Sequence, residues 1–119
     1  MALIEKSEIR DVTGITDEQK QRIYDFLQGA VYCWCKNRDK NEPFSMRDLM
    51  GGENFYWEGT PLYDLYEKHE ALGSPNPVAE AGKDSGWMLK RVIEDDKRRF
   101  HTYREDQIRK YQWDGDSDY

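Results

Sequence analysis

Basic side chains crowd one stretch of this chain. Lys90, Arg91, Arg98, Arg99, Arg104, Arg109 and Lys110, with Lys97 beside them, all fall within residues 85–113. Clustered ammonium and guanidinium groups neutralise phosphates, so these seven are the candidate nucleic-acid contacts. The stretch also has a shape. Trp87-Met88-Leu89-Lys90-Arg91-Val92-Ile93 is an amphipathic helical run. After Asp96 the apolar period changes to two, in Phe100–Arg104 and again in Ile108–Trp113, which reads as a β-hairpin. A helix feeding a basic hairpin is how a winged-helix domain ends. In that fold one helix enters the major groove and the hairpin touches backbone or minor groove beside it. Glu94, Asp95 and Asp96 interrupt the basic run and repel phosphate. The competing reading is therefore a solvated charged helix face, with a structural hairpin closing the core.

The charge distribution sharpens the contrast. Residues 1–82 carry 9 Lys/Arg against 15 Asp/Glu, whereas residues 83–112 carry 9 against 6. The net charge is −6, so any attraction to nucleic acid has to be local.

Aromatic residues form a second constellation. Phe55-Tyr56-Trp57, with Tyr63 downstream, are the candidate protein contacts, because Trp and Tyr dominate interface hot spots. The alternative is that they fill a core short of aliphatic side chains. The soft metal ligands, Cys33, Cys35, His69 and His101, match no zinc spacing. On a helix the two cysteines point about 200° apart, so they do not pair. Asp114-Gly115-Asp116-Ser117-Asp118 opens like a calcium loop, but its sixth position is Tyr119 rather than glycine. Ser45, Ser74 and Ser85 lack a nucleophile-elbow context, and Gly51-Gly52 lacks the Lys-Ser/Thr of a phosphate loop. The sequence reading thus assigns no catalytic residue, no metal ligand and no cofactor.

These groups need elements to hold them. At 119 residues the chain fits one domain, expected over 1–113, with a frayed acidic tail at 114–119. Apolar residues are 37% and charged residues 35%, a balance that leans toward disorder, but 13% aromatics argue for a folded core. Thr16-Asp17-Glu18-Gln19 predicts a capping box, followed by an apolar stripe at Ile23, Phe26, Leu27, Ala30, Val31 and Trp34 that fades near Lys36. Gly29 inside that stripe suggests a close packing partner. Ser45 predicts a short capped helix stopped by Gly51-Gly52. Thr60-Pro61 predicts a helix with the stripe Leu62, Leu65, Tyr66, His69 and Leu72, closed by Gly73. Ser74–Pro77 reads as a turn and Val78–Gly82 as at most one helical turn, with Asp84 or Ser85 capping the last helix. The hairpin turn near Glu105-Asp106-Gln107 has no glycine, so three or more loop residues are expected. Ala2-Leu3-Ile4 is a short strand or docking segment.

Two helix-turn-helix assignments follow. One makes Val78–Gly82 the turn before the last helix; the other pairs Ser45–Met50 with Pro61–Leu72 across a long linker. The runs Gly59–His69 and Ala81–Lys90 resemble small uncharacterised bacterial proteins of the mobile-element type, over residues 50–113 at most. That resemblance implies a bacterial cytosolic protein and carries over no functional residue. The early charges Glu5 and Lys6 and the absence of a long apolar run agree with a cytoplasmic chain without a membrane partner.

The sequence therefore predicts an α+β fold, mainly helical, with a C-terminal β-hairpin in winged-helix-like order. The leading expectation is a non-enzymatic binding or regulatory module acting through a protein surface, as a homodimer or with another protein. The alternative is a winged-helix DNA binder using residues 85–113.

Overall fold

The computed structural model describes residues 2–39, 42–51 and 57–115. Its elements are α1 (Asp17–Asn37), α2 (Met46–Leu49), α3 (Tyr63–Ala71), α4 (Pro77–Glu94), β1 (Phe100–Glu105) and β2 (Ile108–Trp113). The fold is α+β and mainly helical, with the hairpin at its end. Among the described residues no helix is long and apolar enough to cross a membrane.

Local chemistry sets the helix starts. Thr16 Oγ1 accepts from the Gln19 backbone N–H, and Gln19 Oε1 accepts from that of Thr16, closing the predicted box on α1. Ile23, Leu27, Val31 and Cys35 then form its buried stripe. A Cβ at Gly29 would meet nothing within 4 Å, so the expected close partner there is absent among the described residues. Ser45 caps α2 as expected, and Asp48 returns the bond at 2.8 Å.

Two predicted boundaries move. Thr60 does not cap α3; its hydroxyl donates to the Trp57 carbonyl, and the helix starts at Tyr63 after two turn residues. Leu72 leaves the predicted stripe and is 72% exposed, because the helix has already ended at Ala71. The larger correction is α4. Neither Asp84 nor Ser85 caps it, and Gly82 does not break it. It runs unbroken from Pro77, with Asn76 Oδ1 accepting from Ala79 N–H. An N-cap Asn followed by Pro is a strong start signal, and an interior glycine costs only about 1 kcal/mol. The helix-turn-helix assignment that made Val78–Gly82 the turn therefore fails, because those residues lie inside α4. The packed pair is α3 and α4, joined by the turn at 72–76.

The hairpin pairs Phe100 with Trp113, Thr102 with Tyr111 and Arg104 with Arg109. Its turn is the tight two-residue kind, contrary to expectation. Asp106 (φ 52°) and Gln107 (φ 65°) both take left-handed backbone, the conformation that matches strand twist. Both edges of the hairpin are covered. Leu3 bridges β1 in parallel at Phe100, and Phe44 bridges β2 antiparallel at Tyr111. The Phe44 ring sits at the core centre, 5.6 Å from Trp34, 5.9 Å from Tyr111 and 6.1 Å from Phe100. This order of a helix, a bridging residue, two packed helices and a hairpin is compatible with a winged-helix-like shape.

Arg98 holds the junction between α4 and β1. It is fully buried, bonds the Asp96 carboxylate at 3.3 Å, and lies 5.4 Å from the Tyr32 ring and 5.5 Å from that of Trp113. Asp114, the first residue of the expected frayed tail, is tied to the fold. Asp114 N–H donates to the Arg99 carbonyl, and 116–119 lie outside the described residues.

Candidate nucleic-acid interface

The inner face of the hairpin runs from core to solvent. Phe100 and Trp113, then Thr102 and Tyr111, are buried pairs of the ladder. The next pair on that face is Arg104 and Arg109, where the core gives out. A groove of about 650 Å³ opens there, between α2, the N-terminal half of α4 and the hairpin tip. Helical spacing explains the α4 wall. Ala79, Gly82, Lys83, Gly86 and Lys90 line the groove and recur at three- and four-residue steps, so they share one face. Ala81 and Met88 turn the other way and are buried, while Ser85 and Leu89 are buried at the groove wall itself. A Cβ at Gly82 or Gly86 would meet nothing within 4 Å. The protein's own packing does not require either glycine.

The groove is basic. Among the described residues Arg47, Lys83, Lys90, Arg104 and Arg109 line it, and no Asp or Glu does. Trp57 and Trp87 supply apolar wall. Lys90 is 4% exposed; its ammonium donates to Ser7 Oγ and lies 5.4 Å from the Trp87 ring. Burial lowers its pKa, the positive charges of Arg109 and Arg104 push the same way, and the Glu8 carboxylate opposes them. Arg109 donates to Thr102 Oγ1 at 3.2 Å, and Arg104 reaches the Gln107 carbonyl at 3.4 Å.

The acids of the basic stretch are held elsewhere. Asp96 pairs with Arg98, Asp95 accepts from the Tyr24 hydroxyl at 3.1 Å, and Glu94 accepts from Leu3 N–H at 3.3 Å. These carboxylates sit around the C-terminal end of α4, away from the groove lining. Asp95, with burial as the larger cause, raises the Tyr24 phenol to about 12.

The seven candidate contacts thus divide. Lys90, Arg104 and Arg109 come together in the groove. Arg91 and Arg99 are exposed outside its lining. Lys110 lies on the other hairpin face, 3.8 Å from Asp48. Arg98 is corrected outright, because a guanidinium with no exposed surface inside the core cannot meet a phosphate. The sequence reading missed Arg47 and Lys83. Lys83 was discoverable, since a helix continued back to Pro77 puts it about two turns before Lys90 on the same face. Arg47 carried no such signal.

Of the aromatic candidates, Phe55 and Tyr56 lie outside the described residues. Trp57 is half-buried in the groove wall. Tyr63 is half-buried and stacks on Tyr66 at 5.5 Å. His69 Nε2 meets Asp84 Oδ2 at 2.7 Å, and Lys68 meets the same oxygen at 2.8 Å, tying α3 to α4. Cys33 is exposed and Cys35 buried, as their helical spacing implies.

Comparisons with protein-family models, with curated proteins and with solved structures give no match to this chain.

Proposed function

We propose that this protein is a duplex-DNA-binding module in which the N-terminal half of α4 and the hairpin tip face the nucleic acid. One observation carries the reading: a groove lined, among the described residues, by five cations and no carboxylate, on a chain of net charge −6. An acidic protein that concentrates cations on one concave face has a local field that attracts polyanions. The small side chains Ala79, Gly82 and Gly86 on that face let a helix approach a duplex closely. Trp87 and the hairpin tip flank the approach, as reading helix and wing do in winged-helix proteins.

The test is fluorescence anisotropy with a labelled random-sequence duplex at 50 mM salt. Saturable binding is expected there. Absence of binding even at 20 mM salt would remove the reading. No residue is assigned a bond-making step, and the module acts by binding.

A second reading, association with another protein or a second copy, is favoured by Leu72 and Val78. They are 72% and 67% exposed at the α3–α4 corner. Light scattering at high concentration separates the two. A dimer that Leu72→Asp dissolves supports the second reading, and a monomer throughout rejects its homodimer form.

A further inference from the structure

Three cations in the groove repel one another, and among the described residues none of them is ion-paired. Arg104 and Arg109 are directly opposite on the ladder, on the same face. Like charges in that position are destabilising. Lys90 comes from the facing wall on α4, buried; both arginines act against its charge, and the Glu8 carboxylate, which is itself paired with Arg10, acts the other way from beyond ion-pair distance. Among the described residues no carboxylate lies within ion-pair distance of Lys90, Arg104 or Arg109. The hydrogen-bond partners they do have are neutral oxygens: the Ser7 hydroxyl, the Thr102 hydroxyl and the Gln107 carbonyl. A neutral oxygen satisfies a donor without cancelling its charge.

Elsewhere the fold gives its buried or half-buried cations carboxylates. Arg98 has Asp96, and Lys68 has Asp84. None of the described carboxylates is ion-paired with these three, and a counter-charge from outside would complete the set. Guanidinium forks match the edges of a tetrahedral oxyanion, and an ammonium supplies a third point. Ser7 adds a hydroxyl, which the N-terminal segment brings into place. Ala2 N–H donates to the Glu94 carbonyl, Ile4 N–H donates to that of Phe100, and Glu5 accepts from Thr102 N–H.

The geometry points to a discrete phosphate seat formed by Lys90, Arg104 and Arg109, with the Ser7 hydroxyl at its edge. Its ligand is a tetrahedral phosphate group. It rests on the same groove as the duplex reading, where a backbone phosphodiester would fill it. A free phosphorylated ligand is the other source of that chemistry.

Calorimetric titration of the full chain with inorganic phosphate, at ionic strength held constant with chloride, tests the seat. Side-chain NMR of the arginine Nε–H groups runs alongside. One-site saturation is expected, with Arg104 and Arg109 resonances moving together. Arg104→Gln is expected to weaken phosphate about 10- to 100-fold, and the exposed Arg91→Gln to leave it unchanged. Among the described residues Arg104 bonds only the adjacent turn, so the Gln variant keeps the fold, which its circular dichroism checks. Phosphate binding no tighter than chloride, or equal in Arg104→Gln, overturns the seat.

A labelled duplex then distinguishes the sources. Displacement of duplex by phosphate assigns the seat to a backbone phosphate. Phosphate binding without duplex binding keeps the seat for a free phosphorylated ligand and rejects the duplex reading. Duplex binding with no phosphate site does the reverse.

Discussion

Replacing Arg98 by alanine separates a structural cation from the interface cations. Its side chain has no exposed surface, and the Asp96 side chain beside it is 3% exposed. Removing the guanidinium leaves a carboxylate buried without this partner, a change that costs about 3–5 kcal/mol. The rings of Tyr32 and Trp113 also lose a cation 5.4 Å and 5.5 Å from their centres. Each such contact is worth about 0.5–2 kcal/mol, partly counted in the first figure. A chain this long is stable by about 6–18 kcal/mol, so the loss is a large share of the whole. The expected fall in Tm is about 10–20 °C. Urea unfolding followed by tryptophan fluorescence, with calorimetry beside it, measures both. The double change Asp96→Asn with Arg98→Met is expected to recover most of the loss, because a buried ion pair replaced by apolar volume is often nearly neutral. Well below its Tm, Arg98→Ala should bind duplex within about twofold of the parent, since Arg98 touches no part of the groove lining. A variant that kept its stability but lost duplex affinity tenfold would refute this account of Arg98.

Three further outcomes are expected. The Glu5 carboxyl is held below its ordinary pKa, first by its bond to His101 and then by Thr102 N–H. A depressed carboxyl contributes stability that is full above its unfolded value and is lost as pH falls through its folded one. Glu5→Gln should therefore flatten the acid limb of the stability curve below about pH 4.5, by under about 1 kcal/mol because the pair is half exposed. Burial raises the Cys35 thiol to about 11, so at pH 7.5 a disulfide reagent should titrate Cys33 quickly and Cys35 only after unfolding. Fast reaction of both would contradict the buried stripe of α1. Gln107 holds a left-handed backbone without being glycine, so Gln107→Gly should stabilise the hairpin by about 0.5–1 kcal/mol in urea melts. Destabilisation would contradict the two-residue turn.

Much of the fold was readable because local signals were strong. Thr16 and Gln19 named one helix start, Ser45 another, and the change of period after Asp96 named the hairpin. Where two local signals conflicted, the reading went wrong. Gly82 argued for a break and Asn76-Pro77 for a start, and the start won, which lengthened α4 and put Lys83 on the groove face. The missing glycine at 106–107 argued for a long loop, but strand pairing from Phe100–Trp113 to Glu105–Ile108 imposes a tight one. The site was only half legible. Sequence clustering gathered Lys90, Arg104 and Arg109, but it could not separate them from Arg98, whose burial depends on Tyr32 and Trp113 arriving from α1 and β2. Nor could it show that Glu94, Asp95 and Asp96 are engaged at the far end of the helix.

The salt dependence of duplex affinity bears most directly on the groove. If three to five of its cations each meet a phosphate, log K should fall against log salt with a slope of about −3 to −4.5. Affinity should then drop about 60- to 500-fold between 50 and 200 mM. Lys83→Ala and Arg104→Ala should each flatten the slope by about 1 on every duplex sequence, and Arg91→Ala should leave it unchanged. A slope near zero, or one that Arg91→Ala flattens and Arg104→Ala does not, would contradict a DNA interface in this groove.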